Sequence, residues 1–181
     1  MGIVDVVISW SKRKRGKGYK IMCIVAGATV YGILIPLTIA YASLMLDEML
    51  GLKLGLEPYN IVLAVPLIVF GLFFISWAAW AQWHIGKGTP APMAPTQKLV
   101  VSGPYAYCRN PMMFGSLLYY LGLIILVNSA TGIIIVAIIE ALYALYVKFI
   151  EEKELELRFG KEYVEYKKRT PFLIPWPRRR Q

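Results

Sequence analysis

Four long apolar stretches constrain this chain before any motif does. Residues 21–45, 60–83, 112–127 and 132–150 are dominated by Leu, Ile, Val, Ala, Phe and Met, and the first three contain no charged side chain. A helix rises 1.5 Å per residue, so roughly 20 apolar residues cross a hydrocarbon core of about 30 Å. The third stretch is short, but Pro111 and Asn128 at its ends suit headgroup level. Hydrophobic residues make up 57% of the 181, and mean hydropathy is +0.54. That is too apolar for a water-soluble domain of this size. In lipid every backbone polar group must be satisfied within the protein, which here selects helices. The expected fold class is all-α: a polytopic helical membrane protein with about four transmembrane helices. An N-terminal interfacial helix over 1–10 and a C-terminal cytoplasmic helix complete it.

The charge pattern orients these spans. Every Lys and Arg except Lys53 and Lys148 falls in the N-terminal run 12–20, in the 84–111 loop, or in the tail after Ile150. Four spans return the chain to the side on which it began. The positive-inside rule then makes both termini, the long loop and any site built from them cytoplasmic, in a multi-pass protein of the cell membrane. The net charge of +9 is thereby a basic rim facing anionic lipid, and no nucleic-acid partner is expected. Cys23 and Cys108 both map near the cytoplasmic face, so no disulfide is expected. His84 is the single histidine and follows a tryptophan belt of Trp77, Trp80 and Trp83. Without a histidine or cysteine cluster, no metal site is expected.

No internal repeat divides the chain. One domain over 1–181 is expected, with N-terminal helices in 1–85 and a catalytic core in 86–181. Pro36 and Pro66 each remove a backbone donor inside a span and should bend it, which neighbouring helices must make good. The connection 128–131 is so short that the flanking spans form an antiparallel hairpin. The 84–109 loop is long, and Pro90, Pro92 and Pro95 stiffen it. Beyond Ile150, Leu155, Phe159, Tyr163 and Tyr166 keep a helical spacing, with a break or continuation at Gly160, and the Pro-containing 171–177 cannot be helical.

Several residues near the expected cytoplasmic surface can carry chemistry. Arg109 lies just before span three, where its planar guanidinium can grip a carboxylate beside the free amides of a helix start. Glu151 and Glu152 lie where span four leaves the membrane and can hold an ammonium group or accept a proton. Glu140 is the one acidic residue deep in a span, a position that demands a partner. At about 100° per residue, Glu140, Ala144, Lys148 and Glu151 form one stripe, which makes Glu140 and Lys148 candidates for binding substrate. An arginine at one helix start and two carboxylates at another helix end suggest a site for a charged ligand beside lipid.

These residues also carry a resemblance. Leu99-Val100, Gly103-Pro104-Tyr105, Arg109-Asn110-Pro111-Met112-Met113, Glu151-Glu152, Phe159-Gly160 and Tyr163-Val164-Glu165-Tyr166 follow in that order over residues 86–175. The pattern resembles the isoprenylcysteine carboxyl methyltransferase and phospholipid methyltransferase family of integral membrane enzymes. The resemblance implies an S-adenosyl-L-methionine-dependent methyltransferase acting on a lipophilic small molecule or a prenylated or lipid substrate that enters from the bilayer. It implies cofactor contacts at Gln97, Lys98, Leu99, Val100, Tyr105, Asn110, Pro111, Met112, Met113 and Glu151, with Arg109, Glu151 and Glu152 as the catalytic set. Two positions depart from the family pattern: a histidine is Asn110 here and a tyrosine is Met113. A substrate-binding arginine of the carboxyl methyltransferase branch is Val147, with Lys148 beside it. Two other readings are an NADPH-dependent membrane reductase of the sterol type and a non-enzymatic lipid-binding membrane protein.

Overall fold

The computed structural model describes Ser9 and residues 15–176. The expected interfacial helix over 1–10, apart from Ser9, and the basic end 178–180 lie outside the described residues. From residue 15 to 176 the longer helices follow in order: α1 (Lys17–Leu50), α2 (Asn60–His84), α3 (Pro111–Leu126), α4 (Ala130–Phe159) and α5 (Lys161–Arg169). Among the described residues, α1, α2 and α4 are long and apolar enough to cross a membrane. The 16 residues of α3 reach about 24 Å, a shorter apolar helix that packs along α2. The fold is therefore the polytopic helical bundle that the hydropathy predicts. Large apolar side chains such as Leu37, Phe70, Phe73, Leu142 and Phe149 point outward, as a lipid-facing surface requires.

The bends have physical partners. A π-helical turn, Val30–Leu34, precedes Pro36 in α1. The wider turn relieves the clash of the Pro36 ring with the carbonyl four residues earlier. Tyr119 then donates its hydroxyl to Gly32 O at 2.8 Å, and Tyr120 donates to Tyr31 O at 2.7 Å. Neighbour α3 thus satisfies the carbonyls at the distorted turn.

Small residues bring α2 and α3 together. The residues that α2 buries are Ala64, Gly71, Ala78 and Ala81, and a Cβ added at Gly71 would lie 2.7 Å from Gly115 O and 2.6 Å from Tyr119 N. Close backbone approach of this kind supplies the packing that drives helix association in lipid. At the end of the bundle remote from the tryptophans, α1 caps α4. Buried Asp47 accepts from Ser129 Oγ (2.6 Å), Ala130 N (3.0 Å) and Thr131 N (2.9 Å). A carboxylate there satisfies helix-start amides and complements the dipole. One apolar core joins α1, α3 and α4 through Ile39, Tyr120, Ile124 and Val136. A second joins α2, the 99–106 segment and α5 through Ala78, Val100, Tyr105, Tyr163 and Tyr166.

Candidate functional site

The site end of the bundle is built around a buried ion pair. Pro111 occupies the first turn of α3, and its ring keeps the preceding Asn110 out of helical conformation. Arg109, just before that break, reaches across to α4. Its Nε donates to Glu152 Oε1 at 2.9 Å, and its Nη1 donates to Lys167 O (2.9 Å) and Thr170 O (2.7 Å). Glu152 is 2% exposed, and its second oxygen pairs with Lys167 Nζ at 2.8 Å. That bond holds the Lys167 ammonium above its usual pKa. Backbone and side-chain bonds extend the grip to the tail. Arg109 N donates to Pro171 O (2.8 Å), Asn110 Nδ2 to Phe172 O (3.0 Å), and Trp176 N to Tyr107 O (3.1 Å). Residues 170–176 are thus strapped across the start of α3.

The Nε and Nη1 of Arg109 are thus engaged by Glu152 and by the carbonyls at the end of α5. The sequence brings Arg109 and the acidic pair together, but only Glu152 meets it.

Glu151, one residue on and about 100° around α4, faces elsewhere. It lines a cavity of about 130 Å³ together with Gln82, Thr89, Tyr146, Glu154 and Arg158, among others. Pro90, Pro92 and Pro95 form the opposite wall. Thr89 closes that wall on itself, both its N and its Oγ1 donating to Ala94 O (2.8 and 3.0 Å). Arg158 pairs with Glu154 at 2.6 Å and also donates to Thr96 O, tying the wall to α4. On the inner side Gln82 Nε2 donates to the Tyr105 hydroxyl, and Tyr166 donates to Tyr105 O at 2.7 Å. Burial pushes the Tyr105 phenol well above its ordinary pKa, so it stays neutral. Among the described residues, Glu151 has no hydrogen-bond or ion-pair partner. The cationic neighbour Arg158 is already paired, so the cavity is left with an unmatched carboxylate.

Other expected residues divide. Leu99, Val100, Tyr105 and Met112 pack in the core behind the cavity, and Pro111 and Met113 are buried at the start of α3. The side chains of Gln97 and Lys98 are exposed, while their backbone amides both donate to Gly86 O (2.6 and 3.2 Å). Glu140 sits 6% exposed inside the bundle, where Ser116 Oγ donates to its Oε1 at 3.1 Å and its Oε2 has no partner. Of the expected stripe, Glu140 is buried and Lys148 is exposed. A π-helical turn, Val147–Glu151, shifts the register, so Val147 is buried and Lys148 is exposed. Sequence reasoning missed Gln82, Thr89, Tyr146, Glu154 and Arg158. The spacing of Glu154 and Arg158, four apart on a helix, was the signal available for that pair.

Fold and site together define a helical membrane protein with an acidic, protein-walled cavity where its helices leave the apolar zone. The sequence profile of the phospholipid methyltransferase family matches residues 59–162, more than half of the chain, and includes every helix that lines the cavity. The chain belongs to the phospholipid methyltransferase family. It is similar to the protein-S-isoprenylcysteine O-methyltransferase of Mus musculus, 38% identical over 89 residues, which are 45% of this chain and 29% of that protein. The Rattus norvegicus protein of the same name is also 38% identical over 89 residues, 45% of this chain and 28% of its own length. The chain thus matches under a third of the length of these relatives.

Proposed function

We propose that this chain is an S-adenosyl-L-methionine-dependent membrane methyltransferase, acting at the cytoplasmic surface on a lipophilic acceptor. Family membership supports methyl transfer, and the unpaired Glu151 carboxylate is the observation that carries the cofactor assignment. The methyl donor presents a cationic ammonium group and a sulfonium, and an unmatched carboxylate in a walled cavity suits such charges. Methyl transfer from a sulfonium is an in-line displacement, so the protein mainly supplies alignment and a dry site.

In this reading Glu151 holds the ammonium group, and Gln82, held from behind by the Tyr105 hydroxyl, forms the floor against which the ligand rests. Arg109 and Glu152 fix the α3, α4 and tail segments that frame it. The cavity of about 130 Å³ is smaller than the roughly 300–1,000 Å³ usual for ligand sites. Entry therefore requires the proline wall of residues 89–96 to withdraw from α4. The relatives' names support two acceptor classes, an isoprenylcysteine and a phospholipid; in this reading the methylated group is a carboxylate in the first and an amine in the second. A carboxylate is already ionised at neutral pH, whereas an amine must first lose a proton.

The test is a panel of prenylcysteine analogues, phosphatidylethanolamine and small hydrophobic thiols offered to the protein with methyl-labelled S-adenosylmethionine. Label should appear in one lipophilic product class. Absence of label in all of them, together with saturable NADPH binding, would replace this reading with the reductase one.

A further inference from the structure

A second cavity, about 250 Å³, opens between the start of α1 and the end of α2 and is lined by Lys17, Lys20, Trp83, His84 and Lys87. It shares no lining residue with the Glu151 cavity. The residues that form it come from two places that fold together. Lys20 Nζ donates to Lys87 O, which ties the first turn of α1 to the loop after α2. The His84 ring stacks on Trp80 with centroids 4.7 Å apart, and its Nδ1 lies 3.0 Å from Trp80 O. The rim is thereby fixed.

Its electrostatics are one-sided. Three ammonium groups line the cup, and among the described residues none of Lys17, Lys20 and Lys87 forms an ion pair. The first turn of α1 carries no acidic residue, and Gly16 offers its amides no side-chain cap. Cations gathered at the positive end of a helix dipole that Gly16 does not cap favour an anion in the cup. Lys87 adds to the strain, since its backbone is left-handed (φ 57°) between two glycines. A lysine held in such a conformation points to a use for the side chain rather than for the turn.

The setting names the anion. Trp80 and Trp83 mark the headgroup level, where amphipathic rings settle. Immediately beyond the cup along α1, Ile21, Met22 and Val25 are exposed and apolar, a track for acyl chains. We propose that this cup binds the phosphate of an anionic membrane lipid, with the lysines around the headgroup and the acyl chains lying along α1. The site is independent of the methyl-transfer reading.

The experiment uses the full chain in neutral detergent and follows intrinsic tryptophan fluorescence. Short-chain phosphatidylglycerol, phosphatidylcholine of equal chain length and inorganic phosphate are titrated separately. Wild type should saturate with phosphatidylglycerol and respond weakly to phosphatidylcholine. Each lysine removed, in Lys17→Gln, Lys20→Gln and Lys87→Gly, should weaken that binding about fivefold, in line with the attraction of one basic residue to an anionic surface. The Lys87→Gly variant guards against misfolding, because glycine relaxes the left-handed backbone. Equal affinities in wild type and all three variants would overturn the site. Inorganic phosphate binding as tightly as phosphatidylglycerol would overturn the lipid assignment.

Discussion

Replacing Arg109 with alanine should release the tail strap while leaving the membrane helices in place. In the native protein Arg109 gives three side-chain hydrogen bonds, one to a carboxylate that is 2% exposed and two to the carbonyls of Lys167 and Thr170. Removing one partner of a buried pair costs about 3–5 kcal/mol. Lys167 still neutralises Glu152, which brings the loss toward the lower end. That figure already includes the two carbonyl bonds lost with the guanidinium, so a total of about 3 kcal/mol is expected. That energy opposes joint opening of the end of α5 and residues 170–176 away from Arg109 and α4, so this open population should rise roughly hundredfold, at about 1.4 kcal/mol per factor of ten. Tryptic cleavage after Arg169 reports that population when opening is fast relative to cutting. The variant should be cut roughly a hundred times faster than wild type at that bond, with no new cut after Lys148 inside α4. Arg109→Lys should lie between the two, since one ammonium cannot replace the guanidinium fork. Cleavage within twofold of wild type would refute the strap.

Three other outcomes follow from the packing. Asp47→Ala should lower stability by about 3 kcal/mol by leaving the α4 start uncapped, read as a lowered midpoint in detergent denaturation. Gly71→Ala should separate α2 from α3, because its Cβ meets backbone atoms 2.6–2.9 Å away, and overpacking of this kind costs about 1–3 kcal/mol. It should appear as poor recovery of monodisperse protein. Cys108 is fully buried, and burial pushes its thiol up to about 11. The folded state favours the neutral thiol, so that contribution to stability is intact below the ordinary value of 9.0 and is lost as pH rises through about 11. At pH 8 a maleimide should label Cys108 only after unfolding.

Much of the fold is written in local pattern. Hydropathy marks the spans, the 128–131 turn forces the α3–α4 hairpin, and Pro36 announces a bend. Gly160 ends α4 with a positive φ of 54°. The α2 seam of Ala64, Gly71 and Ala78, spaced by seven, is a pattern that hydropathy alone passes over. The site was legible only in outline. Arg109 and the acidic pair do converge, but whether Glu151 or Glu152 takes the guanidinium depends on 100° of helix rotation. The use of Arg109 donors by the tail carbonyls has no sequence signature at all, since every residue carries a carbonyl. Lys148 went to the surface because α4 widens into a π turn, and single-turn register shifts leave little trace in apolar periodicity. Gln82 and Thr89 join the cavity through tertiary packing that no spacing rule encodes.

The central claim is that the Glu151 cavity holds the methyl donor. Isothermal titration of the detergent-solubilised full chain with S-adenosylmethionine tests it directly, comparing wild type with Glu151→Gln, which keeps the shape and removes the charge. Saturable binding that weakens at least tenfold in the variant is the expected result. Equal binding by both proteins, or none by wild type at millimolar donor, would contradict the account.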